Sequence, residues 1–321
     1  MSRKLQKVDL LRRWHDIPPL AQGAVLAIGH FDGVHRGHQA VLRAALSVAH
    51  RAQRPSVVIV FEPNPRELAS FERPVFRLTS LPKKLHLLSE VGVDDVLVVS
   101  FDATLAALDA ASFAEQVLSN ALKANHVVVG DDFDLGEGSQ SSVAALKLMG
   151  SKLGFGVTVV EQVGDHEHPY SADRVRNHLC RGEVRSAAEA LGYWWRITGV
   201  VKSGDGRGTG LGFPTVNLAL HPSQEVADGI YAVRVIVDGQ AYDAAGYLGK
   251  RPTFGAGVQK FEAFLFDFAG NLYGENIEVE FIEYIREDRT FESAQALADQ
   301  MKQDCEKISD VLSSAPARPI P

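Results

Sequence analysis

The sequence predicts an α/β domain built on a Rossmann-like parallel sheet, followed by an antiparallel β-barrel with a C-terminal helix. From Ala24 to about Val160, short apolar runs alternate with stretches of helical periodicity, and this alternation is typical of βαβ units. After Trp195, strand-like runs follow one another without helices between them. Since 321 residues exceed the usual size of one domain, we expect two domains, at residues 1–192 and 193–321.

Each apolar run of the first domain predicts a parallel strand, and the amphipathic stretch after it predicts a helix. The predicted strands cover residues 25–29, 57–61, 95–99 and 126–130, and the predicted helices cover residues 39–51, 81–91, 110–123, 141–153, 171–179 and 184–191. Ser171 is the expected N-cap of the fifth helix, and Gly192 ends the sixth. Such sheets bind ligands at the carboxyl ends of their strands, so the loops there are candidate sites.

The second domain contains successive strand-like runs, several of them separated by glycine-containing turns. These runs cover residues 197–201, 230–237, 241–248, 259–268 and 277–285. With a further strand after a glycine-rich loop, they predict an antiparallel barrel of roughly six strands. A final helix, from about Ser293 to Leu312, has apolar residues at helical spacing and should pack against the barrel. The Pro- and Ser-rich tail from Ser313 is expected to be disordered.

The composition excludes several classes of function. Hydrophobic residues make up 45% of the chain and charged residues 23%, which is ordinary for folded domains. The net charge of −7 argues against a non-specific nucleic-acid binder, which normally has a basic face. No run of about 18 apolar residues or signal-peptide core is present, and Cys180 and Cys305 lack metal-ligand or disulfide spacing. We therefore expect a protein of the reducing cytoplasm without a nucleic-acid or membrane partner, and the oligomeric state stays open.

The most informative stretch is residues 28–38, IGHFDGVHRGH, which follows the first predicted strand. Gly29 and Gly33 bracket a turn, and His35 and His38 stand where the first predicted helix begins. A glycine turn at a helix start lets backbone N–H groups face a phosphate, and the two imidazoles would lie beside the anion. The glycine between the histidines would let the backbone come close. This stretch therefore predicts chemistry on nucleotide phosphates.

Two more loops are expected at the same edge of the sheet. Residues 61–66, FEPNPR, bring Arg66 after the second strand, and residues 130–138, GDDFDLGEG, bring three aspartates after the fourth. One glycine-rich loop alone is more often a plain turn, but three at one edge favour a ligand site. Arg174 and Arg176 lie at the start of the fifth predicted helix, and their positive charge suits a triphosphate. The alternative is that this helix start is simply exposed to solvent.

The second domain has its own polar cluster around the glycine-rich stretch 203–218. Thr215 and Asn217 should share one face of a strand, where a hydroxyl and an amide oxygen could hold Mg²⁺. The alternative is a hairpin with two satisfied polar residues. Glu262 lies among apolar neighbours, so it is either a carboxylate on the solvent face or, if it faces inward, a candidate general base toward a hydroxyl.

Seven motifs occur together in one order: GHFDGVHRGH, RLTSLPKKLHLLSEVGVDDVLVVSFD, GDDFDLGEG, LGFPTVN, KRPTF, FEAFLFDF and NLYG. From Gly23 to Ile308, the chain resembles the bacterial bifunctional riboflavin kinase/FAD synthetase family. The resemblance implies an N-terminal FMN adenylyltransferase domain and a C-terminal riboflavin kinase barrel. Riboflavin would take the γ-phosphate of ATP to give FMN, and FMN would attack the α-phosphate of a second ATP to give FAD and pyrophosphate.

The resemblance also implies a role for individual residues. The catalytic residues would be His35, His38 and Arg174 in the adenylyltransferase and Glu262 as the base of the kinase. The residues that bind ATP or flavin would be Gly29, Phe31, Asp32, Gly33, Gly37, Asp132, Ser171, Arg176, Gly204, Gly212, Pro214, Thr215 and Asn217, with Mg²⁺ at Thr215 and Asn217.

The chain departs from the family pattern at a few positions. Ser171, Ala172 and Asp173 stand where the family usually has SST, so a carboxylate would face the triphosphate unless it turns away or binds Mg²⁺. Asn64 stands where His is common, and Tyr247 where Asn is common. The alternative hypothesis is therefore a riboflavin kinase whose first domain is degenerate and only binds nucleotide or flavin, or regulates. A third is a nucleotidyltransferase with another acceptor.

Overall fold

The structure is a computed structural model that describes residues 7–11, 17, 21–64, 75–133, 142–165, 168–202, 215–221, 223–250 and 259–317. The chain divides into two compact units, Met1–Ala172 and Asp173–Pro321. The predicted fifth and sixth helices thus fall almost entirely on the second side of this division, and the functional boundary at residue 192 stays a prediction.

A sheet of six parallel strands forms the centre of the first unit, in the order β1-β4-β3-β2-β5-β6. The strands are β1 (Lys7–Leu11), β2 (Val25–Ile28), β3 (Ser56–Glu62), β4 (Asp95–Ser100), β5 (His126–Gly130) and β6 (Gly156–Val160). The helices are α1 (Arg36–Ala52), α2 (Leu81–Val91), α3 (Ala103–Ala106), α4 (Ala110–Phe113), which continues as a π-helix over Ala114–Ala121, and α5 (Ser142–Leu153). The predicted parallel α/β architecture is confirmed.

The degree of burial of each strand explains why some strands could be predicted from the sequence and others could not. β2, β3, β4 and β5 are buried almost throughout, and strands covered on both faces are continuous apolar runs. The edge strand β6 is half-buried along its length and has Thr158 at its centre, so its apolar pattern is weaker. β6 and the other edge strand, β1, are not among the strands predicted from the sequence.

The parallel pairing places the carboxyl ends of β2, β3 and β5 at one edge of the sheet. The segments that follow them begin at Gly29, Pro63 and Asp131. The prediction that three loops meet at this edge is therefore confirmed for residues 29–34, 63–64 and 131–133. Arg66 and the glycines of residues 134–138 lie outside the described residues.

Six antiparallel strands form the second unit, in the order β7-β12-β9-β10-β11-β8. The strands are β7 (Arg196–Val200), β8 (Thr215–Ala219), β9 (Gly229–Val237), β10 (Gln240–Lys250), β11 (Gln259–Leu265) and β12 (Asn276–Arg286), and the helices are α6 (Ala172–Cys180), α7 (Val184–Leu191) and α8 (Ala294–Ser314). A bridge between Lys202 and Asn217 brings the two edges of the sheet together, so the barrel is nearly closed. The predicted six-stranded barrel with a C-terminal helix is confirmed.

Aromatic side chains fill the interior of this barrel. Trp195 and Tyr231 each lie 5.1 Å from the ring of Phe281, and Phe261 lies 5.5 Å from it, measured between ring centroids. All four are fully buried. Burial raises the pKa of Tyr231, because the ionised phenol would lose its solvation, and its hydroxyl donates to the carbonyl of Ala227 instead.

The C-terminal helix α8 begins at its N-cap Ser293, as predicted, and packs on β9, β10 and β12. Residues 313–317, which the sequence analysis expected to be disordered, are fixed: the carbonyl of Pro316 accepts hydrogen bonds from the Trp194 indole at 3.2 Å and from Arg234 at 3.1 Å. Arg234 also donates to the carbonyls of Leu312 and Ala315. A cation at the negative end of a helix satisfies carbonyls that have no helical partner.

Both cysteines of the second unit are free thiols. Burial, with Asp304 and Glu306 nearby, raises the pKa of Cys305 to about 11. Within the described part of the chain, no helix is both long and apolar enough to cross a membrane.

Arg234→Met should destabilise the second unit by about 1–3 kcal/mol, because three carbonyls at the end of α8 would lose a charged donor. Urea unfolding followed by tryptophan fluorescence would measure the change. The control is Arg185→Met, which removes an exposed ion pair with Glu283 and should cost less than about 1 kcal/mol. Equal effects of the two substitutions would contradict this role of Arg234.

Candidate functional site

A sharply bent turn joins β2 to α1 in the first unit. Phe31 (φ 48°), Gly33 (φ 76°) and Val34 (φ 41°) have left-handed backbone conformations, and all three residues are buried. Only glycine adopts this region without cost, so Phe31 and Val34 each carry strain on the order of 1–3 kcal/mol. Such a turn persists only where surrounding contacts hold it.

The carboxylate of Asp32 supplies those contacts. It accepts hydrogen bonds from the N–H groups of Leu78 and Thr79, both at 3.1 Å to Oδ1, and from the Thr79 hydroxyl at 3.2 Å. The N–H of Gly33 in turn donates to that hydroxyl. Asp32 is 4% exposed, and neither Asp32 nor Gly33 is among the described residues that line the cavity below. In the structure both residues support the turn, and their predicted contact with a ligand stays a prediction.

His35 and His38 form a stacked pair at the start of α1. His35 is the N-cap of the helix, and its Nδ1 accepts the backbone N–H of His38 at 3.3 Å. This hydrogen bond assigns the proton of a neutral His35 ring to Nε2. The two ring centroids are 3.6 Å apart with an angle of 25° between the planes, and Phe31 lies 5.1 Å from His38. The motif HxGH thus brings two imidazoles together at the edge of the sheet.

Gly37 is required for packing within the protein. The expectation that it lets the backbone approach a phosphate stays a prediction. A Cβ atom at this position would lie 2.8 Å from the carbonyl oxygen of Tyr170 and 3.1 Å from the His35 ring. The missing side chain therefore makes room for protein atoms, namely Tyr170 and the catalytic candidate His35.

A cavity of about 740 Å³ lies at this edge of the first unit, within the usual size range of small-molecule sites. Of the predicted residues, its described lining includes Gly29, Phe31, His35, Gly37, His38, Asp132 and Ser171. Strands β2, β3, β5 and β6 all contribute residues from their carboxyl ends. The structure thus brings together most of the first-domain residues that the sequence predicted.

One wall of the cavity is apolar, and its residues are not among those predicted from the sequence. The rings of Phe101 and Phe113 lie 5.9 and 6.4 Å from that of Phe61, and Leu105 and Leu108 extend the surface. Phe101 follows β4 directly, so the rule that ligands bind at carboxyl ends would have found it. Aromatic rings pack favourably against side chains of this kind.

The described lining also includes polar and acidic residues. Asp131, Asp132 and Glu161 contribute carboxylates, and the Asp132 side chain folds back over Gly130, where a Cβ would lie 2.7 Å from its Oδ1. No lysine or arginine is among the described lining residues. Among the described lining residues, the groups that could contact an anionic ligand are the two histidines and backbone N–H groups.

Asn64, one of the departures from the family pattern, lies close to this edge and is buried. Glu62, two residues before it, pairs with Lys84 at 3.3 Å and with Arg77 at 3.2 Å. These ion pairs fix the end of β3 to the segment that leads into α2.

Arg174 and Arg176 belong to the second unit. Within that unit, Arg176 pairs with Asp173 at 2.7 Å, and Arg174 donates to the His178 ring at 3.4 Å. The Asp173 carboxylate, which replaces a hydroxyl of the family pattern, is thus compensated by a positive charge on its own helix.

The second unit aligns its polar residues across three strands. Glu262 on β11 lies directly opposite Asn217 on β8 and opposite Tyr247 on β10. Thr215 lies opposite Phe264, on the same face, since alternate residues of a strand point the same way. Side chains directly opposite each other are about 4.5–5.5 Å apart at Cβ, so a carboxylate, an amide and a hydroxyl share one surface.

This surface is the face of β11 that points away from the barrel core. Phe261 and Ala263 are fully buried, whereas Glu262 is half-buried. Glu262 therefore does not face the core, which was the condition under which its position in the sequence favoured a general base, and it is not fully solvated either. The Tyr247 hydroxyl donates to Asp288 at 3.0 Å.

Gly204, Gly212 and Pro214 lie outside the described residues, so their roles stay predictions.

Comparison with known proteins gives the two units separate matches. The family model described as FAD synthetase matches residues 17–174, and the one described as riboflavin kinase matches residues 191–312. The bifunctional riboflavin kinase/FMN adenylyltransferase of Haemophilus influenzae is 36% identical over 96% of this chain and 100% of its own length. The chain belongs to the bifunctional riboflavin kinase/FMN adenylyltransferase family.

Another relative named as a bifunctional riboflavin kinase/FMN adenylyltransferase and one solved structure are also similar over nearly the whole chain. The Bacillus subtilis relative is 33% identical over 94% of this chain and 96% of its own length. The crystal structure of the macrolide-efflux protein from Streptococcus pneumoniae matches with a TM-score of 0.85 and 30% identity, over 94% of this chain and 99% of that one. The resemblance inferred from the motifs is therefore confirmed along nearly the whole chain.

Asp32→Asn should loosen the histidine turn, because an amide NH₂ would replace one of two oxygens that accept backbone N–H groups, at a cost of about 1–3 kcal/mol. Hydrogen exchange measured by mass spectrometry should become faster in the peptides that contain residues 29–38 and 75–80.

Glu115→Gln is the matched control, since Glu115 is an exposed carboxylate on the π-helix. It should leave exchange in both peptides unchanged. Unchanged exchange in the Asp32→Asn variant would show that the turn does not depend on this carboxylate.

Proposed function

We propose that this chain phosphorylates riboflavin with ATP to give FMN and then adenylylates FMN with a second ATP to give FAD and pyrophosphate. The observation that carries this proposal is the pair of separate polar sites, one at the sheet edge of the first unit and one on the barrel of the second. Each lies in the part of the chain matched by the corresponding family model.

Adenylyl transfer is assigned to the cavity of the first unit. A phosphate oxygen of FMN attacks the α-phosphorus of ATP, a new P–O bond forms, and the bond to the bridging oxygen breaks to release pyrophosphate. The rings of His35 and His38 would donate hydrogen bonds to oxygens on which negative charge develops. Donors fixed in advance stabilise such charge without reorganising, which makes a covalent nucleophile unnecessary.

The two parts of the cavity suit the two substrates of this step. The wall of Phe61, Phe101 and Phe113 would receive the isoalloxazine ring of FMN, and the histidine end would receive phosphates. The candidates for contact with ATP and the departing pyrophosphate remain those given by the sequence. They are Ser171, which lines the cavity, and Arg174 and Arg176, which follow it in the sequence.

Phosphoryl transfer is assigned to the surface shared by Thr215, Asn217 and Glu262. Glu262 would accept the proton of the terminal ribityl hydroxyl of riboflavin. The oxygen of that hydroxyl attacks the γ-phosphorus of ATP, and ADP leaves. The position of Glu262 on a half-buried face supports this role, because a substrate hydroxyl can reach the carboxylate there.

The same surface fits a magnesium ion. The Thr215 hydroxyl and the Asn217 amide oxygen are hard oxygen donors on one face, and Asn217 Nδ2 lies 3.5 Å from the Thr215 carbonyl, which directs its Oδ1 away from that carbonyl. Bound Mg²⁺ would neutralise phosphate charge. Thr215 and Asn217 would hold it, and Glu262, directly opposite Asn217, would act on the acceptor.

The hypothesis of a degenerate first domain is not supported. The relatives that match along nearly the whole chain are named as bifunctional, the histidine pair is intact, and the Asp173 charge is compensated by Arg176. We further propose that the protein works in the cytoplasm on ATP and flavins as its small-molecule partners.

Chromatographic separation of flavins after incubation with riboflavin, ATP and Mg²⁺ tests both steps, with FMN as an alternative starting flavin. The wild-type chain should form FMN and then FAD. His38→Ala should lower FAD formation by about 10²–10³-fold and spare FMN formation. Glu262→Gln should lower FMN formation by about 10²–10⁴-fold and spare adenylylation of supplied FMN.

Each variant serves as the folding control of the other. FMN that accumulates without FAD in the wild type, even from supplied FMN, would refute adenylyl transfer. A lack of any flavin phosphorylation would refute the kinase assignment and favour a nucleotidyltransferase with another acceptor. Equal loss of both activities in either variant would refute separate sites.

A further inference from the structure

A hairpin after β6 forms a second wall of the cavity in the first unit. The Tyr170 N–H donates to the carbonyl of Val163 at 2.8 Å, and Gly164 and Pro169 pair as an antiparallel bridge. Both arms reach the cavity, since residues 160–163 and 169–171 are part of its lining. The width of the cavity beside the histidines therefore depends on where this hairpin lies.

The hairpin contacts the histidine turn at two adjacent residues. The Arg36 guanidinium lies over the Tyr170 ring, with Cζ 5.7 Å from the ring centroid. The Tyr170 carbonyl oxygen fills the space beside Gly37, where a side chain would collide with it. Arg36 and Gly37 are the two residues between His35 and His38, so the wall is attached to the motif itself.

We propose that Arg36 and Tyr170 are positioning residues for adenylyl transfer. They form a clasp, defined as the Arg36–Tyr170 stack together with the Tyr170 carbonyl at Gly37, that fixes the hairpin wall against the histidine pair. This inference rests on the proposed function of the first unit. Neither residue has a role in the assignments above, and the clasp acts by holding Ser171 and Val163 at a set distance from the two imidazoles.

The chemistry of the contact explains the choice of residues. A guanidinium over an aromatic face is attracted by the negative face of the ring, and its planar shape stacks better than an ammonium. Phenylalanine at position 170 would keep the aromatic face on which Arg36 stacks. Leucine would fill a similar volume but has no aromatic face. Because Arg36 belongs to the turn and Tyr170 to the hairpin, loss of the stack lets the wall move relative to the histidines.

Four variants of the full-length chain test the clasp: Arg36→Gln, Tyr170→Leu, Tyr170→Phe and the double variant Arg36→Gln/Tyr170→Leu. Steady-state FAD formation from FMN and ATP gives KM for ATP and kcat separately, and riboflavin phosphorylation reports whether each variant folds. Arg43→Gln is the matched control, since Arg43 lies on the exposed side of α1 and contacts Gln39.

Arg36→Gln and Tyr170→Leu should each raise KM for ATP by about threefold to tenfold, with a smaller change in kcat and unchanged riboflavin phosphorylation. The double variant should be no worse than either single variant, because one contact is lost in all three. Tyr170→Phe and Arg43→Gln should match the wild type.

Several outcomes would overturn the clasp. Wild-type kinetics in Tyr170→Leu would show that the ring does not position the wall. A loss in Arg36→Gln alone, or fully additive losses in the double variant, would mean that Arg36 acts on ATP independently of Tyr170. Parallel loss of kinase activity would indicate misfolding and no specific role. If the wild-type chain forms no FAD, the proposed adenylyl transfer itself is refuted. Failure of the proposed function is therefore distinguished from failure of the clasp, which is judged only by comparing variants with an active wild type.

Discussion

A buried carboxylate holds the first site in shape. The Asp32 carboxylate accepts hydrogen bonds from the backbone N–H groups of Leu78 and Thr79 and from the Thr79 hydroxyl. These bonds keep Phe31 and Val34 in left-handed conformations that they would not adopt alone. This turn carries the chain from β2 into α1, and the direction of α1 sets the positions of the two imidazoles. Without the hydrogen bonds to Asp32, the strained turn would relax and the stacked pair would lose its place at the cavity.

The second unit obtains its site in another way, from strand register. Glu262, Asn217 and Tyr247 stand in one row because β8, β10 and β11 pair in a single register, and shifting one strand by one residue would move its side chain to the other face. The aromatic core around Phe281 fixes that register, since Phe261 must face inward. Core packing on one face thus dictates which polar groups meet on the other.

Much of this arrangement could be predicted from sequence. Buried strands such as β3 are apolar runs, and the motif IGHFDGVHRGH marks the carboxyl end of one of them, so the sheet edge and the histidine pair followed from pattern alone. The contacts of Asp32 and Gly37 did not follow, because their partners, Thr79 and Tyr170, are distant in sequence. Only the fold shows which residues of a site motif also hold the motif in shape.

In the proposed mechanism, the turn held by Asp32 presents His35 and His38 to the phosphates of ATP. NMR spectra of the histidine rings, recorded while ATP and Mg²⁺ are added without flavin, test this claim most directly. The ring signals of His35 and His38 should shift in proportion to ATP bound, whereas His126, at the opposite end of β5 and hydrogen-bonded to Thr158, should not. ATP that saturates the protein and leaves the signals of both His35 and His38 unchanged would contradict the account.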